Sequence, residues 1–243
     1  LKFYSLSKMI DYQAKQQKNH SKVFLDVVDK NFFSAYESVK ERTMLSPEAL
    51  YDLWNSIGYS AKKGLTGDIL EFGVWRGGAL ELAAHALKYF KTQNTLIGLD
   101  TFEGHPEPNK DEVDIWGNNM NERFHVEVEQ NGSWVKSNYE EVLQNLNSIF
   151  SNFRLIKGKV SSDTNHPEIS KIAILRLDMD WYEPTKAALE NFYHRIEPGG
   201  SLIIDDYGHH SGARKATDEF LEENNINLNF RHLNYSCIAA TVL

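Results

Sequence analysis

Five short apolar runs, each closed by glycine or an acid, alternate with stretches of helical period. This alternation is the feature that most limits the fold. The runs are Asp68-Ile-Leu-Glu-Phe-Gly73, Thr95-Leu-Ile-Gly-Leu-Asp100, Phe153-Arg-Leu-Ile-Lys157, Ile172-Ala-Ile-Leu-Arg-Leu177 and Ser201-Leu-Ile-Ile-Asp205. Between them lie helical patterns at Ala79–Phe90, Thr185–Ile196 and Gly212–Asn224. Apolar strands that alternate with helices predict a parallel sheet covered on both faces, an α/β fold. The end of the chain, Phe230–Val242, reads as one or two more strands, antiparallel at an edge.

The region before the first strand reads differently. Residues 1–30 are polar and predict an arm or a weakly held helix. Phe32, Phe33, Tyr36 and Val39 recur at helical spacing, and Ser46-Pro47-Glu48 gives a helix start with Ser as N-cap and Pro at the first position. Leu50, Leu53, Trp54 and Ile57 follow as its apolar face. The expected organisation is an N-terminal arm and helices over 1–63 and a core over 64–243. A long polar insertion at 103–138 follows the second strand, where binding loops and lids occur.

Composition narrows the function classes. A net charge of −8 and a pI near 5.6 favour neither a general nucleic-acid binder nor a protein held on anionic membrane. The single cysteine, Cys237, rules out an intrachain disulfide and reads as a small buried residue in a late strand. No apolar run approaches the roughly 20 residues of a membrane helix, and the N-terminal segment has no signal-peptide core, so the cytoplasm is the expected location.

In an open α/β sheet, ligands bind at the carboxyl ends of the strands. Those ends are Glu71, Asp100, Gly158, Asp178 and Asp205-Asp206. Glu71-Phe-Gly73-Val-Trp-Arg-Gly77-Gly78 opens a helix. Its glycines allow close backbone approach, although it matches neither the dinucleotide fingerprint nor a Walker motif. Asp100 stands where an acid accepts hydrogen bonds from a ribose diol. Arg76 suits a phosphate or carboxylate, but no basic cluster is built for pyrophosphate. An adenosine ligand with a small charged tail fits better, and S-adenosylmethionine is the leading candidate. Asp178 and Asp180 project from one strand end and Asp205 and Asp206 from another. Crowded acids repel, so a divalent cation is expected among them: Mg²⁺, with Mn²⁺ or Ca²⁺ as alternatives. The competing reading has Asp180 or Asp206 capping the helices that follow. His209 and His210 are loop residues by default and otherwise candidates for substrate binding or proton transfer.

LEFGVWRGG (70–78), LDTFEG (99–104), RLDMDWYEPT (176–185) and IIDDYGHHSGARKATDEF (203–220) together resemble the macrocin O-methyltransferase family. The similarity spans about residues 35–242. It implies a Rossmann-like class I methyltransferase sheet, mostly parallel with an antiparallel edge, helices on both faces and an N-terminal helical extension. It also implies an enzyme dependent on S-adenosylmethionine and Mg²⁺ that methylates sugar hydroxyls of natural products. By position, Glu71, Phe72, Gly73, Arg76, Gly77, Asp100 and Thr101 would line the cofactor, together with Asp178, and Ser161 would lie near the adenine. Asp178, Asp205 and Asp206 would bind the metal. An aspartate of the LDxD segment would serve as general base, Asp178 first and Asp180 second, with His209 as a further catalytic candidate. The expected acceptor is a small glycoside or saccharide. His210, standing where the family pattern leads one to expect an aromatic residue, and the stretch 105–138 depart from that pattern and bear on the acceptor.

Three other readings compete. Asp178-Met-Asp180 is also how metal-dependent glycosyltransferases hold a sugar nucleotide. The same fold serves catechol and phenol O-methyltransferases. A non-catalytic member would bind the cofactor and associate through its N-terminal helices, which are also the candidate surface of a homo-oligomer. Phe102, Trp116, Trp134, Trp181 and Tyr182 are candidates for stacking on the acceptor, with core packing the stronger reading for Trp181.

Overall fold

The computed structural model describes residues 29–243, so the arm expected over 1–30 lies almost entirely outside the described residues. Helix α1 (Lys30–Val39) starts where the Asp29 side chain accepts hydrogen bonds from the amides of Asn31 and Phe32. Helix α2 (Pro47–Lys63) starts as its sequence requires: Ser46 accepts from the Ala49 amide and Pro47 needs no partner for a missing N–H. Both pack their apolar faces on α3 (Gly78–Phe90) around Phe32, Trp54 and Leu87.

The strands are β1 (Asp68–Phe72), β2 (Leu96–Asp100), β3 (Phe153–Lys157), β4 (Ile172–Leu177), β5 (Ile196–Ile204), β6 (Arg231–His232) and β7 (Ile238–Thr241). They form one seven-stranded sheet in the order β3-β2-β1-β4-β5-β7-β6. The first five run parallel, and β7 and β6 are antiparallel at the edge. Helices α4 (Met120–Asn131), α5 (Tyr139–Ile149), α6 (Tyr182–Phe192) and α7 (Ser211–Glu223) complete the chain. The core forms two apolar layers. One lies beneath α1, α2, α3 and α5, and the other beneath α6 and α7. Because β1 and β4 are neighbours although the chain makes two other strands between them, the sheet has its switch point there.

Three expectations are refined. The helix expected at Thr185–Ile196 begins at Tyr182 and ends at Phe192, because a tight turn at Tyr193–Arg195 leads into β5 earlier than the apolar run indicates. Strand β5 accommodates Pro198-Gly199-Gly200 through a shift of register against β4. The polar insertion carries its own helix, α4, which starts where Asn119 accepts from the Glu122 amide.

Candidate active site

The carboxyl ends of β1, β2, β4 and β5 open into a cavity of about 500 Å³ at the switch point. The end of β1 is wedged between its neighbours. The Gly73 amide donates to the Leu99 carbonyl, and the Asp178 amide donates to the Phe72 carbonyl at 2.9 Å. Gly73 has φ 83°, and a Cβ there would stand 1.7 Å from the Asp178 carbonyl oxygen. Only glycine lets these two strand ends meet.

Asp100 builds the turn beside it. Its Oδ2 accepts from the amides of Val74 and Trp75 at 2.7 and 2.8 Å, and its Oδ1 accepts from Phe102 at 2.7 Å. Thr101 Oγ1 lies 3.4 Å from the same Oδ1, and Asp100 lines the cavity. Thr101 also lines the cavity and donates to the Gly104 carbonyl. A wall of glycine turn and acid at a switch point fits a nucleoside with a ribose.

The opposite wall is acidic. Arg176, 3% exposed, donates from Nη1 to Glu71 and from Nη2 to Asp178 at 2.9 Å, with Asp205 at 3.6 Å. Burial pushes the Glu71 carboxyl up, and the adjoining Arg176 guanidinium opposes it. Burial and the Asp178 charge push Asp205 up to about 7, and Asp206 is raised well above the usual carboxylate range by burial and by Asp180. One guanidinium is thus surrounded by more acid than it can neutralise. The carboxylates of Asp178, Asp205 and Asp206 come within 4.8 Å of one another, and Asp206 Oδ2 is buried without a partner. Oxygen donors at this spacing, with charge left over, fit a hard divalent cation. Neither Asp180 nor Asp206 caps a helix: the caps of α6 and α7 are Trp181 and His210, and neither makes a side-chain cap bond.

The insertion lines one side of the cavity. Glu112 is buried and accepts from the Tyr182 amide at the start of α6, while Val113 and Ser211 exchange hydrogen bonds at the start of α7. The insertion also brings His105 in, with Nε2 3.1 Å from Asp180 Oδ2, and His210 Nε2 lies 3.6 Å from the same oxygen. Burial alone would raise the Asp180 carboxyl; the two imidazoles draw it well below the usual carboxylate range. Trp134 and Trp181 pack edge-on around His105. His209 packs between the rings of Trp116 and Tyr235, and the Tyr235 hydroxyl is 3.1 Å from His209 Nδ1. Burial, then His210, pull the His209 pKa down to about 4.

Glu71, Gly73, Asp100, Thr101, Asp178, Asp180, Asp205, Asp206 and His209 therefore meet at one cavity. Four expected cofactor residues stand elsewhere. Phe72 is fully buried against Phe192, because strand alternation turns it to the face opposite Glu71. Arg76 faces outward after the left-handed Trp75, donating to the Glu41 carbonyl and approaching Glu141. Gly77 does not reach the cavity. It is the N-cap of α3, with φ 85°. Ser161 is exposed in a turn closed by Thr164, and Gly158, Lys159 and Val160 line the cavity in its place. Among the aromatic candidates, Trp134 and Trp181 line the cavity, Phe102 is buried beside Tyr139, and Tyr182 donates to Glu219. Sequence reasoning missed the roles of Arg176, His105 and Tyr235. Arg176 lay inside a quoted motif, whereas the other two carried no local signal.

A mostly parallel sheet of this order, with an acid at the end of β2 and a glycine turn after β1, is the class I S-adenosylmethionine-dependent methyltransferase fold. The family model described as Macrocin-O-methyltransferase (TylF) matches residues 7–240. The chain belongs to that family, which sets aside the glycosyltransferase reading. It is 28% identical over 187 residues to mycinamicin III 3''-O-methyltransferase of Micromonospora griseorubida, covering 76% of this chain and 72% of that protein. It is 31% identical over 172 residues to the 8-demethyl-8-(2,3-dimethoxy-alpha-L-rhamnosyl)-tetracenomycin-C 4'-O-methyltransferase of Streptomyces olivaceus, covering 68% and 62%. Among solved structures, the O-methyltransferase NovP superposes with a TM-score of 0.71 at 26% identity, covering 83% of this chain and 82% of that one. The calicheamicin methyltransferase CalS11, at 18% identity and a TM-score of 0.66, shares the fold. No helix among the described residues is long and apolar enough to cross a membrane.

Proposed function

We propose that this enzyme transfers a methyl group to a sugar hydroxyl of a small glycoside with the help of a divalent cation. The observation that carries this reading is the convergence of Asp178, Asp205 and Asp206 on the cavity wall, with a buried oxygen of Asp206 unpartnered. Relatives named for methylation of mycinamicin III and of a rhamnosyl tetracenomycin support a glycoside acceptor.

Asp100, at the end of β2 on the cavity wall, is the acid placed to accept from a ribose hydroxyl, and the Gly73 turn supplies the backbone beside it. S-adenosylmethionine, when bound, supplies an electrophilic methyl carbon on sulfonium. Asp178, Asp205 and Asp206 would hold the cation, which would supply Lewis-acid polarisation of the acceptor hydroxyl. The hydroxyl proton is assigned to the carboxylate of Asp180, which lines the cavity beside the acid group with His105 Nε2 3.1 Å from its Oδ2. The His105 imidazole beside it opposes the effect of burial and draws the Asp180 carboxyl below the usual carboxylate range, which leaves a carboxylate in the cavity to accept the proton. Trp134, Trp181 and the docked insertion exclude water and align the acceptor.

The test is transfer of labelled methyl from S-adenosylmethionine to a panel of rhamnosides, other glycosides, free sugars and catechols, with Mg²⁺ and with EDTA. Metal-dependent methylation of glycosides supports the reading. Methylation of catechols alone moves the acceptor to phenols, and full activity in EDTA removes the cation.

A further inference from the structure

His105 lies 75 positions before Asp180 in the chain, yet its Nε2 stands 3.1 Å from Asp180 Oδ2. Three independent features fix this contact. First, Asp180 adopts φ 61°, a left-handed conformation uncommon for a residue with a Cβ. Its carbonyl accepts from the Ala213 amide at the start of α7, which pins the backbone in that turn. Strain of this kind persists where the surrounding structure needs the side chain in one direction. Second, the imidazole of His105 is boxed by Trp134 and Trp181, with ring centroids 5.9 and 5.3 Å away. Third, the His105 amide donates to the Trp134 carbonyl at 2.9 Å, so the two ends of the insertion are joined where His105 enters the cavity.

We propose that His105 is a positioning residue for methyl transfer. Its Nε2–H holds the Asp180 carboxylate at the angle needed to receive the acceptor's proton, and it makes docking of the insertion and alignment of Asp180 a single event. This rests on the assignment of proton removal to Asp180. His210, at 3.6 Å from the same oxygen, is too distant for a good hydrogen bond and does not replace His105. The consequence is a division of labour. The β1 turn and Asp100 bind cofactor whether or not His105 is present, whereas transfer requires it.

The experiment compares His105→Leu and His105→Gln, each in the parent and in Asp180→Asn. The readouts are kcat and KM for methyl α-L-rhamnopyranoside, and S-adenosylmethionine affinity by calorimetry. Leucine preserves bulk and removes the donor, and glutamine restores an N–H at similar reach. His105→Leu is expected to lower kcat about 100-fold with KM and cofactor affinity within about threefold, and His105→Gln to recover about tenfold of that loss. In Asp180→Asn, His105→Leu should cost less than about threefold more, because the partner is already gone. Retention of more than half of kcat in His105→Leu, or losses that multiply in the double variant, overturns the proposal. If even the parent fails to methylate the rhamnoside, that acceptor reading fails by itself. Imidazole ¹H–¹⁵N spectra of the parent and Asp180→Asn then decide the pairing: a shift of the His105 resonances sustains it, and unchanged resonances overturn it.

Discussion

Glu71 and Arg176 face one another across β1 and β4, and their side chains form an ion pair that is almost wholly buried. The pair sits at the switch point, and the same guanidinium reaches Asp178 at 2.9 Å. Arg176 is therefore the counter-charge on which the acidic wall of the cavity depends. Arg176→Met leaves buried carboxylates unpaired and is expected to destabilise the fold by about 3–5 kcal/mol. Arg176→Lys is expected to recover little of this, since an ammonium cannot span both carboxylates with a planar fork. Urea denaturation of the three proteins checks both.

Gly73 meets the Asp178 carbonyl where any Cβ would overlap it. Gly73→Ala must separate the ends of β1 and β4, with an expected loss of about 3 kcal/mol or more and loss of cofactor binding. Saturating S-adenosylmethionine should not restore the parent Tm, which differential scanning calorimetry would show.

The acid cluster gives a metal prediction. Parent activity should fall at least about tenfold in EDTA and return with Mg²⁺. Asp206→Asn should stay inactive with Mg²⁺ present while its calorimetric affinity for S-adenosylmethionine changes less than about threefold. Loss of cofactor affinity in Asp206→Asn would place this residue in the nucleoside pocket instead.

His209 gives a pH prediction. Burial, with His210 beside it, holds the folded-state pKa near 4, below the ordinary value of 6.5. Between those values the unfolded chain binds a proton that the folded protein does not. Stability contributed by the neutral ring is present above about pH 6.5 and is lost as the pH falls toward 4. The drop in Tm between pH 7 and 5 should be smaller in His209→Gln than in the parent.

The alternation of apolar runs with helical stretches determined the sheet, its parallel core and its antiparallel edge. The reason is physical: a strand apolar along its whole length must be covered on both faces. The acids at strand ends were legible for the same reason, since in such a sheet the residue after the last apolar position emerges on the ligand side. This placed Asp100, Asp178, Asp205 and Asp206 at the cavity wall. The same reasoning also named Phe72, Arg76, Gly77 and Ser161, which do not line the cavity although each is adjacent in sequence to residues that do. Side-chain direction there is set by strand alternation, a left-handed residue and a turn, and a motif's spacing does not carry it.

What only the tertiary structure decided is the set of partners. Tyr235 reaches His209 from the turn before β7, and Arg176 chooses Glu71, Asp178 and Asp205 together. His105 arrives beside Asp180 because Glu112 and Val113 dock the insertion on the starts of α6 and α7. Local sequence determines where a strand ends and what it carries. Which distant groups share its charge depends on how loops close over the sheet, and that follows from packing across long separations in the chain.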